Sequence, residues 1–106
     1  MFALNNETPK KQLEEKVSRK ILGYGGSLMM VEVAFVKGGI GALHTHPHEQ
    51  VSYISEGSFE VTIGESKQVL KKGDSFYVPG DVSHGVMALE DAVIVDVFTP
   101  IRQDFL

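Results

Sequence analysis

Short β-like runs recur along most of this chain, and turn-forming residues separate them. The runs cover residues 17–22, 28–36, 51–55, 59–63, 68–70, 75–78, 86–89 and 92–98. The segments between them, such as KGGIG and PGD, are rich in residues that tolerate turn dihedrals. No segment has the length and apolar periodicity of a long helix. Short, evenly spaced strands without a helix predict an all-β sandwich or barrel.

The chain is long enough for one domain. A length of 106 residues allows one hydrophobic core but not two. We assign residues 17–106 to a β-barrel domain and residues 1–16, which are polar and charged, to an N-terminal arm. Pro9 after Thr8 favours a short helical turn in this arm. The alternative is an extended arm that packs on the outside of the barrel.

Composition excludes several classes of partner. Charged residues make up 23% of the chain and the formal net charge is −4, which indicates neither a disordered chain nor a nucleic-acid-binding protein. No apolar run approaches the ~20 residues of a membrane span, so no membrane partner is expected. The N-terminus lacks the basic-then-apolar order of a secretory signal, and there is no cysteine. We therefore expect a cytoplasmic protein.

The run at residues 92–98 is apolar on both of its faces. Its odd positions are Val93, Val95 and Val97, and its even positions include Ile94 and Phe98. A small barrel that stands alone has more polar residues on its outer face. The surplus apolar face predicts a homodimer. The alternative is that the N-terminal arm covers this face.

Three of the four histidines lie within seven residues, HTHPHEQ. His44 and His46 share a face of an extended segment, and Gln50 shares their parity if the backbone stays extended through Pro47. His84 lies downstream in the turn-rich segment VPGDVSH. Neutral imidazoles with one oxygen ligand suit a divalent Zn, Ni, Fe or Mn ion. The alternative is a solvated, histidine-rich loop.

Two groups of residues are spaced as in the two motifs of the cupin superfamily, and the resemblance implies a double-stranded β-helix, or jelly-roll, barrel. The first group comprises Gly38, His44, His46, Gln50 and Gly57, and the second comprises Gly73, Pro79 and His84. The first motif usually ends in Glu, where this chain has Gln50. The second usually has Gly two positions after its Pro and Asn four positions after its His, where this chain has Asp81 and Ala88. The resemblance predicts a single-domain cupin with one divalent metal ion.

Three longer segments, RKILGYGGSLMMVEV, HTHPHEQVSYISEGSFEV and DVFTPIRQDFL, are similar to the KdgF family of small cupins in pectin and alginate breakdown. Enzymes of that family convert 4,5-unsaturated uronate monosaccharides to the linear keto form. The resemblance implies a metal-dependent, isomerase-like enzyme that acts on a small anionic sugar. It also implies the site residues, with metal ligands His44, His46, Gln50 and His84, and substrate-pocket residues Asp96, Phe98 and Arg102.

The residue pattern near the C-terminus supports a pocket for such a sugar. Asp96 stands among apolar neighbours in AVIVDVF, where a carboxylate needs a partner or a function. Phe98 shares its parity, and Arg102 follows just beyond the predicted strand. An apolar wall, a carboxylate and a guanidinium suit a small anionic sugar. The alternative is a salt bridge between Asp96 and Arg102 that closes the mouth of the barrel.

The implied reaction gives each residue a task. Asp96 is the candidate that accepts the proton of the anomeric hydroxyl and later protonates C4. Arg102 would grip the C6 carboxylate in a bidentate manner, while Phe98 would cover a sugar face and exclude water. A neutral Gln50 leaves the metal its full positive charge. Two other classes remain open, a non-catalytic sugar-acid-binding cupin and an iron-dependent dioxygenase, and only the enzyme requires all three pocket residues beside the metal.

His48 has the parity of a ligand, but the cupin pattern skips it. Pro47 is expected to turn the chain at this point, so we predict a supporting or surface role for His48 and not ligation. Glu49 has the opposite parity and is expected on the outside.

Overall fold

Ten antiparallel strands build the fold in a computed structural model that describes residues 1–106. The strands are β1 Lys10–Glu14, β2 Val17–Gly25, β3 Leu28–Phe35, β4 Ile40–His44, β5 Glu49–Glu56, β6 Ser58–Ile63, β7 Ser66–Lys71, β8 Ser75–Val78, β9 His84–Ala88 and β10 Ala92–Thr99. Two short 3-10 turns, Asn5–Glu7 and Gln103–Phe105, precede and follow them. Neither turn has the length or the apolarity of a membrane-spanning helix.

The strands form two sheets that face each other. The large sheet has the order β1-β2-β3-β10-β5-β8, and the small sheet has the order β4-β9-β6-β7. The all-β prediction is confirmed, and each of the eight predicted strands is present. The sequence analysis missed β1, which is fully exposed, and β4, whose sequence IGALH has no regular alternation of apolar and polar residues.

The N-terminal segment contributes a strand to the large sheet. The helical turn predicted to begin at Thr8 and Pro9 is absent; instead a 3-10 turn precedes these residues and β1 follows them. Strand β1 pairs with β2 so that Lys10 lies opposite Lys20. The first 16 residues therefore resemble the extended alternative more than the helical one, because their backbone hydrogen bonds extend the sheet edge.

The interior changes character along the strands. At one end an apolar cluster packs between the sheets, made of Val17, Phe35, Ile54, Phe59, Val61, Ala88, Ala92 and Ile94. The rings of Phe35 and Phe59 meet edge to face at 5.0 Å between centroids. Full burial of one such side chain stabilises a fold by about 1.5–3 kcal/mol. This packing holds the two sheets together, and the other end of the barrel combines polar residues with a smaller apolar cluster of Met29, Val31 and Phe98.

The outer face of β10 carries the predicted apolar residues. Val93, Val95 and Val97 alternate with the inward Ile94, Asp96 and Phe98 and are only partly buried. The N-terminal turn reaches part of this face of the sheet, since Nδ2 of Asn5 donates to Oε2 of Glu32 at 3.1 Å. This contact places the N-terminal turn against β3, on the β2–β3 side of the face.

Candidate metal centre and its cavity

The structure brings the four predicted metal ligands together. His44 ends β4, His46 lies in the following loop, Gln50 is in β5 and His84 begins β9. Ligand nitrogens of the three histidines lie within 4.8 Å of one another. Oε1 of Gln50 lies 3.1 Å from Nε2 of His46 and 3.1 Å from Nε2 of His84. The backbone bends at Pro47, as predicted, so the condition under which Gln50 would share the parity of His44 and His46 is not met. Gln50 reaches the cluster from β5 instead.

Backbone carbonyls set the tautomer of each imidazole in the cluster. Nδ1 of His44 lies 2.8 Å from the Ala42 oxygen, and Nδ1 of His84 lies 2.8 Å from the Val82 oxygen. Nδ1 of His46 lies 3.1 Å from the His48 oxygen. A carbonyl oxygen only accepts hydrogen bonds, so each neutral ring carries its proton on Nδ1 and presents a bare Nε2.

These tautomers create a cluster of acceptors without a donor. The Nε2 lone pairs of His46 and His84 face Oε1 of Gln50, which is also an acceptor, and a cation is what such a set fits. Burial lowers the pKa of both His46 and His84, which favours the neutral rings that a metal needs. The three imidazoles and the amide could therefore hold a divalent metal ion.

Hydrogen bonds from its nitrogen to Ser52 and Asp96 hold the amide of Gln50 in one orientation. Its Nε2 donates to the hydroxyl of Ser52 at 2.9 Å and to Oδ1 of Asp96 at 3.2 Å. The hydroxyl of Ser52 in turn donates to the same Oδ1 at 2.5 Å. Because the amide nitrogen must donate on this side, the amide oxygen faces the imidazoles. Ser52, which is fully buried, is a supporting residue that the sequence analysis missed.

Asp96 combines an anchored oxygen with a free one. Both hydrogen bonds go to Oδ1, while Oδ2 makes none to the protein and is not fully buried. Burial raises the pKa of Asp96 to about 6, and the hydrogen bonds from Ser52 and Gln50 oppose this rise. The carboxyl group is therefore rigid on one side and can exchange a proton on the other.

The turn before β9 packs directly against the histidine loop. A Cβ on Gly80 would meet the Pro47 oxygen at 2.5 Å, so only glycine fits there. The backbone N–H of Asp81 donates to the His46 oxygen at 2.8 Å. Asp81 has a φ of 66°, in the left-handed region that glycine adopts without strain. This explains physically why the cupin pattern has Gly at this position.

A cavity of about 290 Å³ opens beside the ligands. This volume is at the lower end of the range for small-molecule sites. The three predicted pocket residues line the same cavity as three of the ligands, namely Asp96, Phe98 and Arg102 with His44, Gln50 and His84. Val33, Phe76 and Ile94 contribute apolar wall.

The side chain of Arg102 is buried, and its salt-bridge partner is not Asp96, the partner considered in the sequence analysis. Nε and Nη2 donate to the two oxygens of Asp104 at 3.1 and 2.9 Å, in a bidentate pair. The alternative of an Asp96–Arg102 salt bridge is therefore wrong, because the guanidinium turns to the C-terminal 3-10 turn. The guanidinium carbon also lies 5.1 Å from the centroid of the Phe98 ring.

Two further cavity residues, Arg19 and Phe105, escaped the sequence analysis. Arg19 lies on β2 and Phe105 in the C-terminal turn, and the guanidinium carbon of Arg19 is 3.9 Å from the Phe105 ring centroid. The alternation of Val17, Arg19 and Ile21 places Arg19 on the inward face, which is the signal that could have found it. The sequence analysis assigned no role to Arg19.

His48 stands outside the converging set, as predicted. Its Nε2 lies 3.2 Å from the carbonyl oxygen of Ile101, to which it donates, while its Nδ1 is buried without a partner. The ring thus connects the metal-ligand loop to the residue before Arg102. Glu49 is exposed, also as predicted.

Comparisons with known proteins match the fold and the sequence. Residues 31–98 match the model of the family described as "Cupin domain". The chain is 43% identical over 107 aligned positions to "Pectin degradation protein KdgF" of Dickeya dadantii (strain 3937), covering 99% of this chain and 97% of that protein. The structure of KdgF from Halomonas sp. superposes with a TM-score of 0.96 at 38% identity, covering 100% of this chain and 98% of that one. An RmlC-like cupin from Shewanella frigidimarina NCIMB 400 also has a TM-score of 0.96 at 38% identity, with coverage of 99% and 95%.

Proposed function

This chain belongs to the cupin family and to the KdgF proteins within it, and we propose that it converts 4,5-unsaturated uronate monosaccharides to the linear 4-deoxy-5-keto form. Such sugars arise in pectin and alginate breakdown. The observation that carries the proposal is the arrangement of Asp96, which is anchored to the ligand Gln50 yet keeps Oδ2 free in a cavity shared with Arg102. A sensor or a dioxygenase would not need this arrangement.

The reaction is an isomerisation that needs no oxidant or reductant. Oδ2 of Asp96 accepts the proton of the anomeric hydroxyl, the C1–O5 bond breaks, and C1 becomes an aldehyde. The electron pair of the broken bond stays on O5, which becomes the oxygen of an enolate across C4 and C5. Asp96 then returns its proton to C4, and C5 becomes a ketone. One carboxyl group therefore serves as base and then as acid.

The side chains around Asp96 support this proton transfer. Ser52 and Gln50 hold Oδ1 in place, so that little reorganisation is needed when the proton moves. A divalent metal ion held by the imidazoles and Gln50 would supply positive charge near the developing negative charge of the substrate. Phe98, which is 2% exposed, presents an apolar surface to a sugar face and excludes water.

The direct test is an activity assay with purified protein. Unsaturated galacturonate and unsaturated alginate monomers are generated with lyases, and loss of the absorbance of the C4–C5 double bond is followed. We expect acceleration over buffer, equal with and without oxygen. No acceleration would overturn the proposed enzyme and favour a sugar-acid-binding protein, whereas a requirement for oxygen would favour a dioxygenase.

Metal dependence is tested with two neighbouring histidines. His46→Ala should weaken binding of Zn, Ni, Mn or Fe, and activity should follow metal content and recover partly with excess metal. His48→Ala is the matched control, because His48 lies two residues away but outside the cluster, and its metal content should equal that of the wild type. Equal metal binding by both variants would contradict the assigned ligand set.

We further propose that the protein acts as a homodimer through the outer face of the large sheet. Beyond the part reached by the N-terminal turn, Val51, Tyr53 and Tyr77 on β5 and β8 are 50%, 48% and 49% exposed. An apolar face of this kind suits self-association about a two-fold axis. Light scattering at micromolar concentration should give a molar mass twice that of the monomer. Tyr53→Glu should lower the measured mass toward that of one monomer. A monomeric wild type would contradict the proposal.

A further inference from the structure

The cavity holds two arginines that differ in their hydrogen bonds. Arg102 has its Nε and Nη2 engaged with the carboxylate of Asp104, so one of its two bidentate edges is occupied by the protein itself. The side chain of Arg19, which lines the same cavity, makes no hydrogen bond and no salt bridge to any protein group. Arg19 is therefore the arginine of this cavity whose side-chain donors are all free of protein partners.

Strand β2 holds Arg19 toward the interior. In the β2–β3 register Arg19 lies opposite Val33, which is also part of the cavity wall. Arg19 is partly buried, and none of its nitrogens is buried without a partner. Arg19 borders both this cavity and an outer depression that it shares with Lys11 and Phe105, so its side chain separates the cavity from the surface. A guanidinium stays charged at neutral pH even when it is partly buried.

Phe105 holds the guanidinium of Arg19 without using its donors. The guanidinium carbons of Arg19 and Arg102 lie 3.9 and 4.3 Å from the centroid of this one ring. A cation stacked on an aromatic ring is attracted through its flat face, and the N–H groups of a guanidinium lie along its edge. Stacking thus orients Arg19 and leaves its hydrogen-bonding edge available for a carboxylate.

We propose that Arg19 is a substrate-binding residue whose guanidinium takes the carboxylate of the sugar acid. This inference rests on the proposed function, because that function supplies a uronate as the substrate. Arg102 keeps the N–H groups of Nη1 and one N–H of Nη2 free of protein partners, so it can donate to the same carboxylate. Selectivity for an acid over a neutral sugar therefore depends on Arg19 as well as on Arg102.

The test compares Arg19→Gln with Lys11→Gln. Lys11 lies opposite Arg19 in the β1–β2 register, is exposed and does not line the cavity, so it controls for the loss of one positive charge. Loss of a charged hydrogen bond predicts that Arg19→Gln raises KM roughly 10- to 100-fold while kcat changes by less than about 3-fold. Lys11→Gln should leave both constants unchanged. Arg19→Lys keeps the positive charge but loses the bidentate donor geometry of the guanidinium. It should give a KM between those of the wild type and Arg19→Gln.

A binding experiment separates this inference from the proposed reaction. Calorimetry with galacturonate and with galactose should show a preference for the acid in the wild type and a loss of that preference in Arg19→Gln. If the wild type does not turn over unsaturated uronates, the proposed reaction fails, and the galacturonate titration alone decides the role of Arg19. Equal galacturonate affinity in wild type and Arg19→Gln would overturn the inference, as would an unchanged KM. If Arg19→Gln does not fold, Arg19→Lys decides the inference. A KM equal to that of the wild type would overturn the inference, and a raised KM would support it.

Discussion

The two halves of the barrel interior are built on the same strand ladders but hold different side chains. On paired strands β5 and β10, Ile54 faces Ile94 in the closed half, and Ser52 faces Asp96 in the site half. Strand β9 repeats the change, since Ala88 is in the apolar cluster and His84 is a candidate metal ligand. The transition takes two residues along β5 and β10 and four along β9.

This difference separates stability from chemistry within one small domain. The closed half buries apolar groups that hold the sheets together, because burial of such groups is the main favourable term in folding. The site half contains polar groups such as Gln50 and Asp96. Atoms on one side of each group are hydrogen-bonded to the protein, and each residue also lines the cavity. Substitutions in the closed half should therefore change the free energy of unfolding, whereas those in the site half should change kinetic constants.

The largest effect is expected in the closed half. Phe59→Ala removes a fully buried ring that packs on Phe35, and the cavity it leaves should lower the free energy of unfolding by about 3–5 kcal/mol. Urea denaturation measures this loss. The folded fraction should retain the kcat of the wild type per bound metal. A loss below about 1 kcal/mol, or a kcat reduced in proportion to stability, would show that the two halves are not separate.

In the site half, Arg102→Ala should act mainly on KM. Removal of a charged hydrogen-bonding group from a closed pocket costs on the order of 2–4 kcal/mol, or roughly 30- to 1,000-fold in kcat/KM. Steady-state kinetics on metal-loaded protein measures the change. Asp104→Ala is the control, because it frees the guanidinium from its bidentate partner and should leave KM equal or lower. A KM that rises equally in both variants would mean that the pair is structural.

Asp96→Asn should change kcat and little else. Asn retains an oxygen that can accept from Ser52 and Gln50 but cannot carry the proton, so kcat should fall roughly 10²-fold or more. Metal content and the urea midpoint serve as controls and should match the wild type. Retained activity with a lower midpoint would assign Asp96 to structure and remove it from the mechanism.

The smallest effect is a gain in stability beside the site. Asp81→Gly places the residue without a Cβ penalty at a φ of 66° and should stabilise the fold by about 0.5–1 kcal/mol. Asp74→Gly is the comparison, because Asp74 has no positive φ and its carboxylate accepts from the Lys71 N–H at 2.9 Å, so it should destabilise. Thermal melting distinguishes them. Destabilisation by Asp81→Gly would mean that its side chain has an unrecognised role.

Local patterns predicted most of the fold but not the whole site. The eight strands were predictable because apolar runs and turn residues alternate, whereas β1 and β4 have little apolar content that faces the core. The convergence of the three histidines and Gln50 was predictable because a motif records their spacing. The pairing of Arg102 with Asp104 was not, since either Asp96 or Asp104 could have been its partner on sequence alone. Arg19 was not predicted because it lies far from the histidine motif in sequence and reaches the cavity only through the pairing of β2 with β3.

The separate origin of the cavity walls affects how such a protein can evolve. The barrel supplies the imidazoles and Asp96, while the segment after β10 supplies Arg102, Asp104 and Phe105. Irregular segments accept substitutions and length changes that a sheet does not, because fewer buried backbone hydrogen bonds depend on them. Variation in this segment can therefore change which molecules the cavity accepts while the barrel residues that line it are kept.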